Sequence, residues 1–228
     1  MLGPWEPLGM PAGLTGWIDP LWSDLALAEQ DMPEFLSDAD LDLIFRNART
    51  YRSWTDRPVG ETLLRAVYDL ARMGPTSVNC SPARFHFVVS PAAKERLLPA
   101  LDPGNRRQTM TAPATVIVAY DTAFYDLLPR LNPANLDAKS WFDHDEGAAR
   151  ATAFRNSSLQ GAYLIVAARA LGLDCGPMSG FDNASVDAEF FPDGRIRSNF
   201  LCNLGYGDPA RQKARFPRLE FDEACRIL

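Results

Sequence analysis

Histidine is scarce in this chain and cysteine nearly so. Two histidines, His86 and His144, and four cysteines, Cys80, Cys175, Cys202 and Cys225, are spread over 228 residues with no C-x-x-C pair. That spacing argues against a dedicated zinc site and against a disulfide framework. No metal is expected, and the thiols are expected to be reduced and mostly buried. Long hydrophobic runs are missing too. The most apolar stretch, GAYLIVAARALGL (161–173), is interrupted by Arg169 and is too short to cross a bilayer, so no membrane partner is expected. Cations are absent before Arg46, so the N-terminus lacks the charged start of a signal peptide, and a cytoplasmic location is expected.

A basic face is also lacking. The net charge is −6, and it is uneven: residues 1–45 hold nine acidic residues and no basic ones. The remaining 20 acidic and 23 basic residues nearly balance, which argues against a nucleic-acid partner yet leaves cations for an anionic ligand. With 46% hydrophobic and 23% charged residues, the chain can bury one large core or two small ones. Residues 1–31 are rich in Pro, Gly and Trp with no clear period. They read either as a loosely ordered extension or as sequence upstream of the true start, with residues 32–228 as the folded domain.

What is present is a mixture of helical and strand patterns that do not alternate regularly. Ser37 precedes a helix carrying Leu41, Ile44, Phe45 and Ala48 on one face, and a second helix is predicted over about 60–73, ending at Gly74. Residues 84–90 alternate as a strand, Ser90-Pro91 caps a helix reaching about Leu101, and ATVIVAY (114–120) is a buried strand. A long helix is predicted over 147–172, apolar nearly all round from Leu159 onward, so buried deeply or by a second subunit. FLCNLGYG (200–207) is another buried strand. This order predicts an α+β fold. Residues 122–146, rich in Tyr, Phe, Trp and Asn, read as a variable lid.

Five stretches could carry chemistry, each with a plainer reading. Arg49-Thr50-Tyr51-Arg52 offers two guanidinium forks around a hydroxyl, suited to a phosphate, or is an exposed basic turn. GPTSVNCSP (74–82) lacks the lysine and glycine spacing of a P-loop, and alone is a helix-ending loop. Asn105-Arg106-Arg107-Gln108 could meet a heterocycle edge, or be solvated helix positions. Gly176-Pro177-Met178-Ser179-Gly180 could let backbone approach a flat ligand, or be a helix terminus and turn. Lys213-Ala214-Arg215 is a short basic pair.

The order and spacing of these stretches resemble the FMN-dependent nitroreductase family from about residue 37 to the end. The segments ARTYRSW, MGPTSVNCSPARF, GNRRQTMTAPATVIVAYD, FRNSSLQGAYLIVAARALGLDCGPMSGFD, NLGYGD and ARFPRL carry the resemblance. Within the family the pattern is most similar to the malonic semialdehyde reductases of pyrimidine-ring degradation. The resemblance implies a central, mostly antiparallel sheet flanked by helices and an intertwined homodimer with two FMN sites at its interface. NADH or NADPH is the implied hydride donor, and a small aldehyde or another hydride acceptor the substrate.

The resemblance also implies the site. Arg49, Thr50 and Arg52, with Lys213 and Arg215, hold the phosphate and ribityl chain. Asn105 and Gln108 reach the ribityl chain and the polar ring edge, and Pro177, Ser179 and Gly180 pack against the ring. Pro75, Thr76, Ser77 and Asn79 come from the second subunit. Arg84 and Arg155 are candidates for binding a substrate carboxylate, and no protein acid or base is assigned. Three departures stand out: Ser81-Pro82-Ala83-Arg84 where many relatives have Gln-Pro-Trp, Ser179 where many have Glu, and Gln108 for a common Lys. Two other readings stay open: a broad nitroaromatic or quinone reductase, and a flavin-binding or flavin-consuming protein that is not a reductase.

Overall fold

The most hydrophobic strand organises the chain. Ala114–Asp121 is buried at every position, and it forms the second strand (β2) of a four-stranded sheet in a computed structural model that describes residues 35–228. The expected extension, residues 1–31, and its boundary at residue 32 lie outside the described residues. Asp38–Leu228 makes one compact unit.

The other strands are β1 (Ala83–Val88), β3 (Asp174–Met178) and β4 (Ile196–Gly205), in the spatial order β1-β2-β4-β3. All three pairings are antiparallel, with one bulge opposite Val118/Ala119. Alternation along β2 sends side chains to two cores. Val116 and Val118 join Val67, Leu164, Ala168 and Leu204 on one face; Ile117 and Ala119 join Leu97, Leu101, Val186 and Leu201 on the other.

Helices cover both faces. The first begins as one α turn, α1 (Asp38–Leu41), then widens into a π turn over Asp42–Arg46, where Asn47 N donates to Asp42 O at 2.8 Å. Helix α2 (Glu61–Ala71) packs on the long α6 (Glu146–Ala170) over the first core. Helices α3 (Pro91–Leu97), α4 (Pro103–Thr111) and α7 (Asn183–Phe190) lie against the second, with a short α5 (Leu128–Leu131) between and α8 (Phe221–Ala224) near the end. Ser90 caps α3 by accepting from Ala93 N at 3.2 Å, as its sequence predicts. No helix among the described residues is long and apolar enough to cross a membrane.

Two expectations change. The stretch after α6 is not a helix terminus and turn but an edge strand. Pro177 is tolerated in β3 because β4 lies on only one side of it. Of the two readings of α6, deep burial within one chain is the one that changes: Phe154 is 50%, Leu159 47% and Tyr163 43% exposed, and burial by a second subunit stays open. The segment 122–146 folds onto a core of its own, in which Phe124, Leu128 and Ala138 pack with Tyr120, Cys80, Ala149 and Ala153. The cysteines follow expectation, all four being free thiols and only Cys225 exposed.

Beyond the edge of β3, residues 50–55 add a partial fifth ribbon. Thr50 bridges Cys175 in parallel, Tyr51 N donates to Cys175 O at 3.0 Å, and Thr55 N donates to Tyr206 O at 2.8 Å. Gly176 makes this close approach possible, since a Cβ there would stand 2.5 Å from the Tyr51 carbonyl oxygen. Gly176→Ala should therefore push the ribbon off β3 and lower stability by about 1–3 kcal/mol, read as a lower urea midpoint with an unchanged slope.

Candidate active site

Three arginines meet where the first helix ends. Arg169, in the last turn of α6, donates to Ile44 O at 3.2 Å, and Arg49 donates to the carbonyls of Arg46 and Ala48, each at 3.0 Å. Arg215 donates to Phe45 O, Arg46 O and Ala48 O at 3.0, 2.8 and 2.8 Å. The partners are carbonyl oxygens at a helix C-terminus, which favour cations but do not neutralise them. Partial desolvation, followed by repulsion from Arg49, Arg218 and Arg169, lowers the pKa of Arg215. The Arg169 Nε is buried without a partner among the described residues. Nearby in sequence, Arg52 and Lys213 are exposed. An anion at this place would relieve the repulsion and give the unfilled donors an acceptor.

The ribbon that carries Arg49, Thr50 and Arg52 leads to the ring-sized part of the site. Trp54 Nε1 donates to Gln108 O at 2.9 Å, joining the ribbon to α4. Gln108, 6% exposed, donates from Nε2 to Asn105 Oδ1 at 2.5 Å, and Asn105 Nδ2 donates to Gly180 O at 2.8 Å. A Cβ on Gly180 would lie 2.5 Å from Asn105 Nδ2. The bare Cα atoms of Gly176 and Gly180 therefore face the protein itself, Tyr51 and Asn105, and not an open cleft. Pro177 and Ser179 complete this wall, with Ser179 exposed. Beneath it, Thr115 Oγ1 bonds Asn203 Oδ1 at 2.7 Å, Asn203 Nδ2 bonds Thr109 Oγ1 at 3.4 Å, and Thr109 reaches Met178 Sδ at 3.7 Å.

Pro75, Thr76, Ser77 and Asn79 lie elsewhere. Their loop enters β1, at the opposite edge of the sheet from β3. Three strand spacings, about 14 Å, separate those edges. Helix α6 gives a second ruler: Asn156 accepts from Ser77 N at 2.8 Å, and Arg169 stands thirteen residues further along, about 20 Å at 1.5 Å per residue. One chain thus brings Arg49, Thr50 and Arg215 together at one end and the loop at the other.

The two substrate candidates differ. Arg84 is engaged: Nη2 pairs with buried Asp121 at 2.7 Å, and Nη1 donates to Ser81, Pro82 and Ala83 carbonyls at 3.2, 3.3 and 2.9 Å. Arg195 holds the other oxygen of Asp121 at 2.8 Å. Arg155 is exposed on α6. A cavity of about 1320 Å³ runs outside β1 between α2 and α5, and of the expected site residues Asn79 and Arg84 line it. Sequence reasoning missed Arg169, read only as a break in an apolar run. It also missed Asn156 and Gln160, whose i, i+4 spacing within a buried helix was the available signal.

An antiparallel sheet between helical layers, with an arginine cluster beside one edge strand, defines the class of chain to which the comparisons point. The chain belongs to the nitroreductase family, whose model matches residues 45–206. A relative in Burkholderia lata, provisionally named NADH dehydrogenase/NAD(P)H nitroreductase, is 61% identical over 192 residues, covering 84% of this chain and 98% of that one. Another, in Ralstonia nicotianae and under the same provisional name, is 56% identical over 188 residues, covering 82% and 96%. A structure described provisionally as a nitroreductase in complex with FMN, from Exiguobacterium sibiricum, matches with a TM-score of 0.75 at 20% identity, covering 86% of this chain and all of that one. One described provisionally as an NAD(P)H:FMN oxidoreductase, from Staphylococcus epidermidis, matches at 0.74 and 20%, covering 86% and 100%. At such identities the structural likeness shows the fold alone.

Asp174, at the start of β3, gives a test of the local electrostatics. Burial raises its pKa, against a hydrogen bond from Gly207 N and the charge of Arg169. The folded state therefore holds this proton more tightly than the unfolded chain, and stability falls as pH rises through that window. Asp174→Asn keeps an acceptor for Gly207 N. It should be more stable than the parent near pH 7 and equal to it near pH 3, by urea unfolding at both values.

Proposed function

We propose that this chain binds FMN and uses NADH or NADPH to reduce malonic semialdehyde to 3-hydroxypropionate. The observation that carries the cofactor reading is the cluster of Arg49, Arg169 and Arg215 on the carbonyls at the end of the first helix, none of the three in a salt bridge among the described residues. The residues fit the group. Donors lie at one end, and a wall of Pro177, Ser179 and Gly180 follows along the β3 ribbon. A neighbour of the same fold is described with FMN bound, and the 61% identical relative carries NAD(P)H in its name. When bound, the flavin supplies the hydride transfer from nicotinamide to acceptor.

The protein's own part is to bind, orient and cover. Arg49 and Arg215, with Arg52 and Lys213, would grip the phosphate. Asn105 would hold the Gly180 carbonyl in place, and Gln108 would present its remaining amide positions to the ring edge. Arg84 is occupied by Asp121, so its part would be to brace the turn at Ser81. Arg155 would be the freer of the two arginines to meet a substrate carboxylate. Choice of malonic semialdehyde rests on the segment-by-segment resemblance. A nitroaromatic or quinone reductase is the second reading, favoured by the name of the relatives.

We further propose a homodimer that shares each site. The exposed Leu159 and Tyr163, four residues apart and so on one side of α6, form an apolar face suited to a second copy. The separation of the 75–79 loop from the arginine cluster supports contribution of that loop to the partner's flavin.

The purified protein should be yellow and release FMN, and Arg52→Ala should weaken retention by about 1.5–3 kcal/mol. FAD, or no flavin after reconstitution, would remove the cofactor reading. In a panel of acceptors, malonic semialdehyde should give the highest kcat/KM, and a nitroaromatic or quinone ranking first would transfer the assignment to the second reading. Refolding an equal mixture of Arg52→Ala and a variant with bulky residues at Thr76 and Ser77 should restore activity above either parent. Mixed dimers confirmed by native mass spectrometry without rescue would place both motifs on one subunit.

A further inference from the structure

The stretch between α2 and β1 holds its shape against its own backbone preferences. Val78, Asn79 and Ser81 have φ of 49°, 57° and 39°, in the left-handed region. Asparagine tolerates that region, whereas a β-branched valine rarely enters it. Three such residues within four positions need outside support.

Two side chains of α6 supply it. Asn156, fully buried, accepts from Ser77 N at 2.8 Å and returns a bond from Nδ2 to Ser77 Oγ at 3.3 Å. Gln160, one turn on and 5% exposed, accepts from Ala83 N at 2.9 Å. The two amides therefore clasp the arch just before and just after its left-handed residues. Among the other buried positions of α6, Ala149, Ala153, Leu164, Ala167 and Ala168 meet hydrophobic cores, and Ser157 accepts from Asn199 Nδ2 at 2.8 Å. A carboxamide buried among them is costly unless it is satisfied. Apart from the Thr152 carbonyl, the bonds of these two amides go to the arch. Within the arch, Ser81 N donates to Thr76 Oγ1 at 3.1 Å, so the span closes on itself between its two anchors.

We propose that Asn156 and Gln160 are positioning residues of the active site, a pair that fixes the 76–82 arch in advance of cofactor binding. The role rests on the FMN reading, in which this arch is a wall of the flavin pocket. Because α6 also bears the exposed Leu159 and Tyr163, the same helix joins the arch to the face proposed for the second copy.

The test uses Gln160→Met, which keeps length and loses the acceptor, against Gln160→Glu, which keeps an acceptor, with Asn156→Leu as an independent lesion. Amide hydrogen exchange at Ser77, Ala83 and, as a reference in the sheet, Val118 is measured, and FMN is titrated into flavin-stripped protein. Gln160→Met should speed exchange at Ala83 and weaken FMN binding, each about tenfold, with Val118 unchanged, and Gln160→Glu should return both to within about threefold of the parent. Asn156→Leu should act in the same way at Ser77. Faster exchange at Val118 as well would mean a general structural role and overturn the proposal. So would local release of the arch with FMN affinity unchanged, or no release at all. Parent protein that binds no FMN would instead remove the FMN reading, and exchange at Ser77 and Ala83 alone would then decide whether the amides hold the arch.

Discussion

Helix α6 is the ruler on which both halves of the candidate site are marked. Its buried face packs against β2 through Leu164 and Ala168 in the first core and through Ala153 beside Tyr120 in the third. Of its polar residues, Asn156 and Gln160 reach the arch before β1, Ser157 meets Asn199 of β4, and Arg169 reaches the helix end beside β3. Hydrophobic burial sets the helix down on the sheet without direction. These polar contacts then give it a unique register, because each would leave an orphaned donor or carbonyl if the helix slid or turned. A rigid rod between two loops keeps their separation constant while leaving each loop free in composition.

The opposite face of the sheet supports the ring-sized wall by a different means. Thr115, Asn203, Thr109 and Met178 form a buried polar chain from β2 through β4 to β3, and Asn105 carries the link on to Gly180. Each member has a partner, so the chain stiffens the wall instead of weakening the core. Asp121, between Arg84 and Arg195, has the same function at the other end of β2. A buried carboxylate is held there by two guanidiniums and by Ala123 N, which donates to it at 2.9 Å.

Much of this was legible in the residues. The strands at β1, β2 and β4 and the extents of α2 and α6 follow from periodicity and from caps such as Ser90. The resemblance brought out Arg49, Arg215, Asn105 and Gln108 as one set, and the structure groups them along one sheet edge. Strand β3 was not legible, since Gly176-Pro177 looks like punctuation until an edge position makes both residues acceptable. The π turn at Asp42–Arg46 was hidden because a 3.6-residue pattern cannot report one wide turn. Arg169 was hidden for a different reason: its contacts, Ile44 and the neighbourhood of Arg215, are remote in sequence. The exposed side of α6 reads as core because composition alone does not say which molecule covers it.

The four thiols have unequal chemistry. Burial pushes Cys80 up to about 11, and Cys202 is raised as well, beside Cys175 in the sheet. The reactive species is the thiolate, so buried, raised thiols are poor nucleophiles and unreachable by reagent. Cys225, exposed near the chain end, stands apart from them. The native fold thereby supplies a single chemical handle without mutagenesis. A fluorophore or spin label directed to sulfur under native conditions would sit on the C-terminal segment, close in sequence to Arg215, and report on that segment alone.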